Sequence, residues 1–493
     1  MMTILHPVRM LLVLSLGLYL CQITIAAERP NVLFIVCDDL NTHVSTSGYP
    51  HISTPAFDHL AAEGMTFRRA YCQYPVCGPS RASFLYSLYP QSTGVLDNRS
   101  DIRQTRPGTV SLPQRFKESG YWTGAVGKVF HNTSVEPTEV TWHRMERFEN
   151  DEMPMVTPFR EKFEAEHGPI TEGKSRRLWR EFYPTIARQT KGQKPGWGPT
   201  GLTDEQHKDG KNARQIADWL KNKAHGDQPF FMACGIQKPH IPFLAPDKYF
   251  DMYPPAELKF TPASLEFWKH APEIARTKRY ERYDFEFGVR NDSLRREYMQ
   301  AYHACVSFID AQIGLVFDAL HKSGHWDDTI VVLTSDHGYL LGEKFMWGKV
   351  MLFETCDRVP MVIRVPGQTK AGSTSEGLVE LIDLYPTLTE LCAIKAPTEL
   401  QGKSLVPMLR DATHPGKKVA YTVVVRGDDL GKAIRTDQWH YTLWPEGSEE
   451  LYDLHADPHE DTNLAVSRKN AHTIKSMRKL LKQTESVAMS RRR

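Results

Sequence analysis

The fold of this chain is decided first by Val32-Leu33-Phe34-Ile35-Val36-Cys37-Asp38-Asp39, an apolar run that ends in two acidic residues. A short, uninterrupted apolar run predicts a strand that is buried on both faces of a sheet. Similar runs predict further buried strands at Thr123–Val126, Phe230–Gly235, Ile330–Thr334 and Met361–Val365. Helical periodicity occurs between the runs, at Pro55–Gly64, Arg214–Lys223 and Arg296–Leu320. Because strands alternate with helices, we expect an α/β domain whose mostly parallel sheet is sandwiched by helices.

The pattern changes after about residue 417, where short strands of alternating polarity replace the apolar runs. These strands are predicted at Ala420–Val425, Lys432–Arg435, Trp439–Leu443 and Glu450–Leu454, and a helix follows at Arg468–Lys482. We therefore expect the main α/β domain to span residues 28–416 and a smaller C-terminal α+β domain, built on an antiparallel sheet, to span residues 417–493. The polar segments Trp142–Asp227 and Asp251–Asp292 are predicted to be insertions that line a substrate cleft.

Residues 1–27 have the features of a secretory signal peptide: Arg9, the apolar run Met10–Leu20 and the small residues Ala26 and Ala27. A membrane span is the alternative, but the apolar run is shorter than the roughly 20 residues that a bilayer requires. We therefore expect no stable membrane span and a secreted or periplasmic location, or a lysosomal one if the source is eukaryotic.

Length, charge and cysteine content exclude several classes of protein. The 493 residues are enough for a large core, and the formal net charge of +2 argues against a surface that wraps nucleic acid or another polyanion. Eight cysteines, of which Cys21 leaves with the signal peptide, are too dispersed for a disulfide scaffold. Any recognition of an anion must therefore be local.

Acidic residues follow two of the predicted strands. Asp38 and Asp39 end the first, and Ser335-Asp336-His337-Gly338 follows Ile330–Thr334. Because ligands bind at the carboxyl ends of parallel strands, these residues are expected to meet at one edge of the sheet. Helix capping or solvation in a loop is the structural alternative. Three carboxylates repel one another unless a cation binds among them, so we predict a divalent ion, with calcium or magnesium favoured over zinc.

A candidate nucleophile lies in Cys77-Gly78-Pro79-Ser80-Arg81, which leads into a helix-compatible stretch. Proline is favoured in the first turn of a helix, so Cys77 is predicted at a helix N-terminus, where the dipole favours anions. A second functional interpretation is that Cys77 acts as an unmodified thiolate nucleophile. The structural interpretation is a disulfide between Cys77 and Cys72.

The chain resembles the sulfatase family of the alkaline-phosphatase-like superfamily, and within it is most similar to the iduronate-2-sulfatases. In sulfatases, a cysteine of this pentapeptide is oxidised to formylglycine. The resemblance rests on the pentapeptide and on Arg29-Pro30-Asn31, Asp38-Asp39, Thr54-Pro55, Gly127–His131, Lys238–Phe243, Ser335–Gly338, Gly342-Glu343, Trp347, Lys349, Glu450–Leu454, Asp457-Pro458 and Asn463-Leu464.

The resemblance implies a role for each site residue. One Ca²⁺ ion would be held by Asp38, Asp39, Asp336, His337 and the formylglycine made from Cys77. The side chains of Arg81, Lys128 and His131 would hold and tune the formylglycine, and His240 and Lys349 would face the sulfate. The partners implied are a sulfated saccharide substrate and a formylglycine-generating enzyme or anaerobic maturase.

The sequence departs from the family pattern in two places. The extended signature continues to Leu-Thr-Gly-Arg, whereas this chain reads Leu85-Tyr86-Ser87-Leu88. Lys344-Phe345-Met346 stands where relatives commonly have His-Gly, in a stretch expected to border the substrate.

The function expected is hydrolysis of sulfate monoesters, with 2-O-sulfate on uronic acid residues of a sulfated polysaccharide or glycosaminoglycan as the substrate. His240 would protonate the departing alcohol, and His131 would take a proton from the hydrated formylglycine. The alternatives are a phosphodiesterase or phosphonate hydrolase of the same superfamily and a non-catalytic, sulfate-binding relative.

Overall fold

The computed structural model of the chain describes residues 29–132, 135–179, 181, 197–260, 262–277, 285 and 287–489. The predicted signal peptide, together with Cys21, lies outside these residues.

The main domain is organised around an eight-stranded sheet with the order β12-β2-β11-β8-β1-β6-β3-β4. All neighbouring pairs are parallel except those of β11, which runs antiparallel to β2 and β8. The strands in the described part of the chain are β1 (Asn31–Asp38), β2 (Met65–Tyr71), β3 (Trp122–Gly127), β4 (Arg144–Glu146), β5 (Trp197–Pro199), β6 (Phe230–Pro239), β7 (Phe243–Ala245), β8 (Thr329–Ser335), β9 (Leu340–Leu341), β10 (Trp347–Gly348), β11 (Arg358–Arg364), β12 (Ser373–Glu380), β13 (Ala420–Arg426), β14 (Asp429–Arg435), β15 (Trp439–Leu443) and β16 (Glu449–Asp453).

The helices flank this sheet. Those of five or more residues include α1 (Pro55–Glu63), α2 (Cys77–Tyr86), α3 (Leu112–Glu118), α4 (Thr157–His167), α5 (Lys208–Lys221), α6 (Asp292–Lys322), α7 (Leu384–Leu391), α8 (Val406–Arg410) and α9 (Ala471–Met489), and residues 173–179 are also helical. Single-turn helices occur at Pro90–Thr93, Ile102–Thr105, Thr138–Thr141, Asp247–Phe250 and Glu354–Asp357.

Helices cover both faces of the sheet, as the side chains of β1 show. Its side chains alternate: Leu33 and Ile35 pack in a core cluster with α1, α5 and α6, whereas Val32 and Phe34 pack in another cluster with α2, α3 and α7. Since both faces are dry, the strand needs an uninterrupted apolar run. The predicted α/β fold, with a mostly parallel sheet between layers of helices, is confirmed.

The C-terminal region forms the predicted antiparallel sheet, with the order β13-β14-β15-β16. Helix α9 packs against it, starting at residue 471 because residues 468–470 form a separate 3₁₀ turn. The core of this sheet is continuous with residues of the main domain, since Tyr441 and Met351 belong to one buried cluster. The predicted boundary at residue 417 stays a prediction.

Several predictions from the sequence were incomplete. Strands β2 and β12 were missed because both carry polar residues near one edge of the sheet, where burial no longer demands an apolar run. Part of the predicted insertion Trp142–Asp227 belongs to the core, since β4 pairs with β3 and α5 packs against the sheet. Residues 180 and 182–196 of that segment lie outside the described residues.

One structural alternative from the sequence is also answered, whereas the alternative of a membrane span at residues 1–27 lies outside the described residues. All seven cysteines in the described ranges are free and buried, so Cys72 and Cys77 form no disulfide. Helix α6 is long and apolar enough to cross a membrane, but 72% of its most apolar window is buried inside the protein. A core helix passes the same test, so α6 is weak evidence for a span.

Candidate active site and metal centre

Two acidic residues lie at the carboxyl end of β1. Asp38 is the last residue of the strand, and Asp39 has a φ of 66°, in the left-handed region, so the chain turns there. Tyr302 holds this turn from α6, because its hydroxyl donates to the Asp39 carbonyl (2.8 Å) and accepts from the N–H of Asn41 (2.8 Å). The turn lets both carboxylates reach the same buried space, which adjacent residues within a strand cannot do.

The neighbouring strand β8 delivers Asp336 and His337 to the same place. Asp336 accepts from the Asp39 N–H at 3.2 Å. His337 Nδ1 lies 3.0 Å from the Gly338 carbonyl, which assigns the proton to Nδ1 and leaves Nε2 free to bind. His337 Nε2 is 3.4 Å from Asp39 Oδ1 and 3.4 Å from Cys77 Sγ.

Cys77 is the first residue of α2, as its proline two positions later predicts. The N–H of Gly78 donates to Asn98 Oδ1 (2.8 Å), and the Ser80 hydroxyl donates to the Asp336 carbonyl (2.5 Å). These bonds fix the helix start against the end of β8. In the formylglycine that the resemblance implies for residue 77, an oxygen would take the place of Sγ on Cβ, and the contacts of Sγ would then be contacts of that oxygen.

Arg81 is completely buried and ties the segments of the site together. Its Nε donates to Asp336 Oδ2 (2.8 Å), and Nη1 donates to the carbonyls of Lys128 and Val129. Its Nη2 lies 3.6 Å from Asp38 Oδ1. Arg81 therefore holds the carboxylates and the backbone of residues 128–129 in place. Arginine suits this role because its planar guanidinium group can donate to several acceptors at once.

Two lysines bring positive charge to the cluster. Lys128 Nζ is 2.5 Å from Asp38 Oδ2, and Lys349 Nζ is 2.5 Å from Asp39 Oδ1 and 3.0 Å from Cys77 Sγ. Both lysines are thus placed where a sulfate would need cations around it.

Two histidines also contact the cysteine side chain. His131 and His240 both interact with Cys77: His131 lowers the pKa of the thiol, and Cys77 helps to raise the pKa of His240. His240 Nδ1 lies 2.6 Å from the Ile241 carbonyl, so this nitrogen carries the proton and Nε2 faces the cysteine. Within the described ranges, His131 Nδ1 has no hydrogen-bond partner.

Two further residues position His240 and were missed by the sequence analysis. Buried Asp209, in the first turn of α5, accepts from the N–H groups of Gln237 (2.8 Å) and Lys238 (2.9 Å). Lys238 Nζ donates to the carbonyls of His240 (3.1 Å) and Pro242. The motif that contains Lys238 was visible in the sequence. The role of Asp209 was not, because the N–H groups that it binds belong to residues about thirty positions further along the chain.

The residues present fit a metal ion. Asp38, Asp39, Cys77 and His337 each offer one ligand atom, and these atoms lie within 4.8 Å of one another. Among the described residues nothing donates a hydrogen bond to Asp38 Oδ1 or Asp39 Oδ2, although both atoms are buried. Buried carboxylate oxygens without partners are costly, and a cation would satisfy them. The oxygen-rich donor set with one imidazole suits calcium or magnesium.

Nearby cations stabilise the negative form of the cysteine. Burial alone would raise the pKa of the Cys77 thiol, but Lys128, Lys349 and His337 hold it well below its usual value. The same position would therefore stabilise negative charge on an oxygen nucleophile.

The carboxylates in turn favour protonated histidines. Burial opposes the charge on His337, yet Asp336 raises the pKa of this imidazole to about 9, so an ion that binds Nε2 would have to displace a proton. Burial also opposes the charge on His240, but Asp39 and Asp38 raise the pKa of His240 above its usual value. His240 therefore holds a proton close to Cys77.

Lys344 belongs to the stretch that is expected to border the substrate, and its polar contacts are with the C-terminal region. Lys344 Nζ donates to the His459 carbonyl (2.6 Å) and lies 3.2 Å from Asp461 Oδ1. The ammonium also lies 4.6 Å from the ring centroid of Phe267. Lys344 therefore points toward the C-terminal region and anchors the segment that carries Lys349.

The departure at residues 85–88 lies at the far end of α2. Ser87 follows the helix with a φ of 53°, a conformation that favours glycine. The Ser87 hydroxyl compensates by donating to the Ile382 carbonyl (2.7 Å). This change therefore affects the end of the helix and leaves the contacts of Cys77 intact.

Comparisons with known proteins identify the family of the chain. The sulfatase family model matches residues 30–394, and the model of the N-sulphoglucosamine sulphohydrolase C-terminal region matches residues 342–487. A sulfatase of Formosa agariphila is 33% identical over 481 residues, which cover 94% of this chain and 89% of the relative.

Two further proteins are similar over nearly the whole chain. Human iduronate 2-sulfatase is 28% identical over 551 residues, which cover 92% of this chain and 96% of the relative. A solved 2-O GAG (glycosaminoglycan) sulfatase is 22% identical with a TM-score of 0.70, covering 94% of this chain and 93% of that one. At this identity the solved structure is evidence for the fold alone.

Proposed function

Because the chain belongs to the sulfatase family and is a sulfuric ester hydrolase, we propose that it removes 2-O-sulfate from uronic acid residues of a sulfated polysaccharide or glycosaminoglycan. The resemblance drawn from the sequence is thereby confirmed at the level of the family. The choice of substrate is supported by the names of two similar proteins, iduronate 2-sulfatase and a 2-O GAG sulfatase. The motifs Gly127–His131 and Lys238–Phe243 support it as well, since both meet at Cys77.

The observation that carries the proposal is the set of groups around Cys77 Sγ. Lys349 Nζ lies at 3.0 Å and His337 Nε2 at 3.4 Å, and His131 and His240 interact electrostatically with the same side chain. A plain structural cysteine needs none of these partners, since it is usually packed among apolar side chains. Four basic groups around one side chain suit a site for a sulfate anion.

A calcium ion and a formylglycine residue are proposed to complete the active site. A single Ca²⁺ ion would be held by Asp38, Asp39, Asp336, His337 and the modified Cys77, and when bound it would supply a Lewis acid that stabilises charge on the sulfate oxygens. Formylglycine made from Cys77 by a formylglycine-generating enzyme or anaerobic maturase would supply an oxygen nucleophile.

Side chains of the protein supply the proton for the leaving group and stabilise the charge that develops on it. During hydrolysis the bond between sulfur and the bridging oxygen breaks, and negative charge develops on that oxygen. His240, whose pKa is raised, holds the proton that the departing alcohol needs. The ammonium of Lys349 offsets the developing charge.

His131 is proposed to accept a proton from the second hydroxyl of the hydrated formylglycine, which allows sulfate to leave. It interacts with the Cys77 side chain and lowers the pKa of that group, which places His131 beside the group that must lose a proton. Arg81 and Lys128 hold Asp38 and Asp336 in place, and the two lysines and Arg81 keep the site positive enough to bind sulfate.

The proposed route of the protein is export. The signal peptide inferred for residues 1–27 would direct it to the periplasm or outside the cell, or to the lysosome in a eukaryote, where sulfated polysaccharides are encountered.

The proposed function can be tested with a panel of substrates. Purified protein is incubated with disaccharides sulfated either at O2 of the uronic acid or at O6 of the glucosamine, and with aryl sulfate, aryl phosphate and aryl phosphonate esters. We expect sulfate release to be fastest from the uronate 2-O-sulfate. Faster release from the 6-O-sulfate would overturn the substrate, and faster cleavage of the phosphate or phosphonate would overturn the choice of reaction.

Peptide mass spectrometry across Cys77 provides the matching control. We expect a mass below that of cysteine, because formylglycine replaces the thiol by an aldehyde. The variant Cys77→Ser should lose at least about 10³-fold in turnover, since it lacks the nucleophile. Full activity in a protein with unmodified Cys77, or in Cys77→Ser, contradicts the proposal.

A further inference from the structure

A second group of metal-binding side chains lies at the opposite edge of the central sheet. His59 and Glu63 are four residues apart on α1, and His321 lies in the last turn of α6. Each offers one ligand atom, and the three atoms lie within 4.8 Å of one another. None of these residues takes part in the proposed active site, because α6 ends just before the start of β8 whereas the active site lies at its end.

The pair on α1 already has the spacing that a small ion requires. His59 Nε2 lies 3.2 Å from Glu63 Oε1. Zinc binds nitrogen and oxygen at about 2.0–2.2 Å in tetrahedral geometry, so two of its ligand atoms lie about 3.4 Å apart. The pair therefore needs almost no rearrangement to share an ion.

The surroundings hold Glu63 in the binding orientation. Its other oxygen, Oε2, accepts from Trp326 Nε1 (2.7 Å) and from Arg364 Nε (3.0 Å). These two donors leave Oε1 turned toward His59. A carboxylate whose second oxygen is hydrogen-bonded is the arrangement found behind many metal ligands.

The third ligand is also fixed. The His321 ring stacks on the Trp326 ring with centroids 4.0 Å apart and an interplanar angle of 21°. The His59 ring packs edge-on against the same tryptophan, with centroids 5.5 Å apart. One indole thus orients both imidazoles and the carboxylate.

The local charge favours a cation. The carbonyl groups at the C-terminus of α6 give the position of His321 a partial negative charge. The positive charge of Arg364 is offset by Asp327, whose Oδ1 lies 3.4 Å from Arg364 Nη2, so the carboxylate of Glu63 remains as the excess charge.

We propose that His59, Glu63 and His321 form a zinc site, with water in the fourth position. Two imidazoles and one carboxylate favour zinc over calcium, which prefers oxygen ligands. The bound ion joins the C-terminal end of α1 to α6, while the N-terminal end of α1 is already held by Asp310 of α6, which accepts from the N–H groups of Ala56 and Phe57. Zinc at this site stabilises the packing of the two helices and is separate from the chemistry.

The test is a zinc titration of the full-length, calcium-loaded enzyme against a chromophoric chelator. The wild-type protein is expected to bind one more equivalent of zinc than His59→Ala or His321→Ala, or to bind it at least about tenfold more tightly. Glu63→Gln should weaken binding as well, although glutamine can still accept from Trp326 and Arg364. Zinc should raise the melting temperature of the wild-type protein and leave that of the two histidine variants unchanged.

The matched control is His472→Ala, which removes an exposed histidine from α9. This variant should bind zinc like the wild-type protein, and all variants should keep wild-type sulfatase turnover, which also reports that they are folded. The proposal is overturned if His59→Ala and Glu63→Gln bind zinc with the wild-type number of equivalents and affinity.

Discussion

The two groups of metal-binding side chains lie at opposite edges of one sheet and differ most in their contact with water. Asp38, Asp39 and His337 are completely buried, whereas the side chains of His59 and Glu63 are 47% and 39% exposed. The buried group has Arg81, Lys128 and Lys349 around it, and the exposed group has Arg364.

The difference in exposure determines how many counter-charges and hydrogen-bond donors each charged group needs. Water screens the exposed group, so its ligands can remain close together at little cost. In the buried group each carboxylate needs a cation or a donor, and Asp38 Oδ1 and Asp39 Oδ2 have no hydrogen-bond donor among the described residues. We therefore expect the buried group to depend on its ion for activity, and the exposed group to affect stability alone.

Removal of metal should show the largest contrast between the two groups. Dialysis against a chelator is expected to lower sulfatase turnover by at least about 10²-fold, because the sulfate then loses its strongest electrostatic partner. Calcium should restore turnover and zinc should not. The measurement is sulfate release before and after each addition.

His59→Ala provides the control for this comparison. Its turnover should respond to chelation and calcium as that of the wild-type protein does. If the chelator has no effect on wild-type turnover, the buried cluster does not work through a metal ion.

A second contrast concerns the direction in which a buried lysine points. Lys349→Met should lower kcat by about 10²–10³-fold, because the developing charge and the Asp39 carboxylate both lose their ammonium partner. Lys344→Met is the matched control, since this lysine is equally buried but faces His459 and Asp461. Its kcat should change less than about threefold. Equal losses in both variants would contradict the placement of Lys349 at the reacting group.

The smallest expected effect is a pH dependence of stability at α1, the helix that carries part of the exposed group. Burial raises the pKa of Asp310 to about 7 in the folded protein, against the hydrogen bonds from Ala56 and Phe57. The folded state thus binds a proton more tightly than the unfolded state. Stability should therefore fall as pH rises from about 4 to 7, by about 1–4 kcal/mol.

Denaturant unfolding at several pH values measures this effect. Asp310→Asn should flatten the pH dependence, because asparagine does not titrate. Asp318→Asn, on the exposed side of the same helix, should leave it unchanged. A steeper fall in stability for Asp310→Asn than for the wild-type protein would show that the carboxyl group has the opposite effect.

Much of the site could be predicted from the sequence because its residues follow recognisable local patterns. Asp38, Asp39, Asp336 and His337 come directly after apolar runs, and Cys77 stands before a proline that starts a helix. Parallel strands put their carboxyl ends at one edge, so these residues were expected to converge. Asp38, Asp39, Cys77 and His337 do so, and Asp336 accepts from the N–H of Asp39 beside them. Asp209 could not be predicted, since its role depends on backbone groups of residues 237 and 238 in another element.

The sequence by itself determined the family, the α/β fold and the residues that gather around Cys77, because buried strands and turns leave marks in local composition. Only the tertiary structure decided which way Lys344 points, which carboxylate oxygens lack donors, and that His321 comes within reach of His59 and Glu63. The orientation of a side chain and its distance from residues of other segments depend on how those segments pack. Local amino-acid composition does not predict that packing.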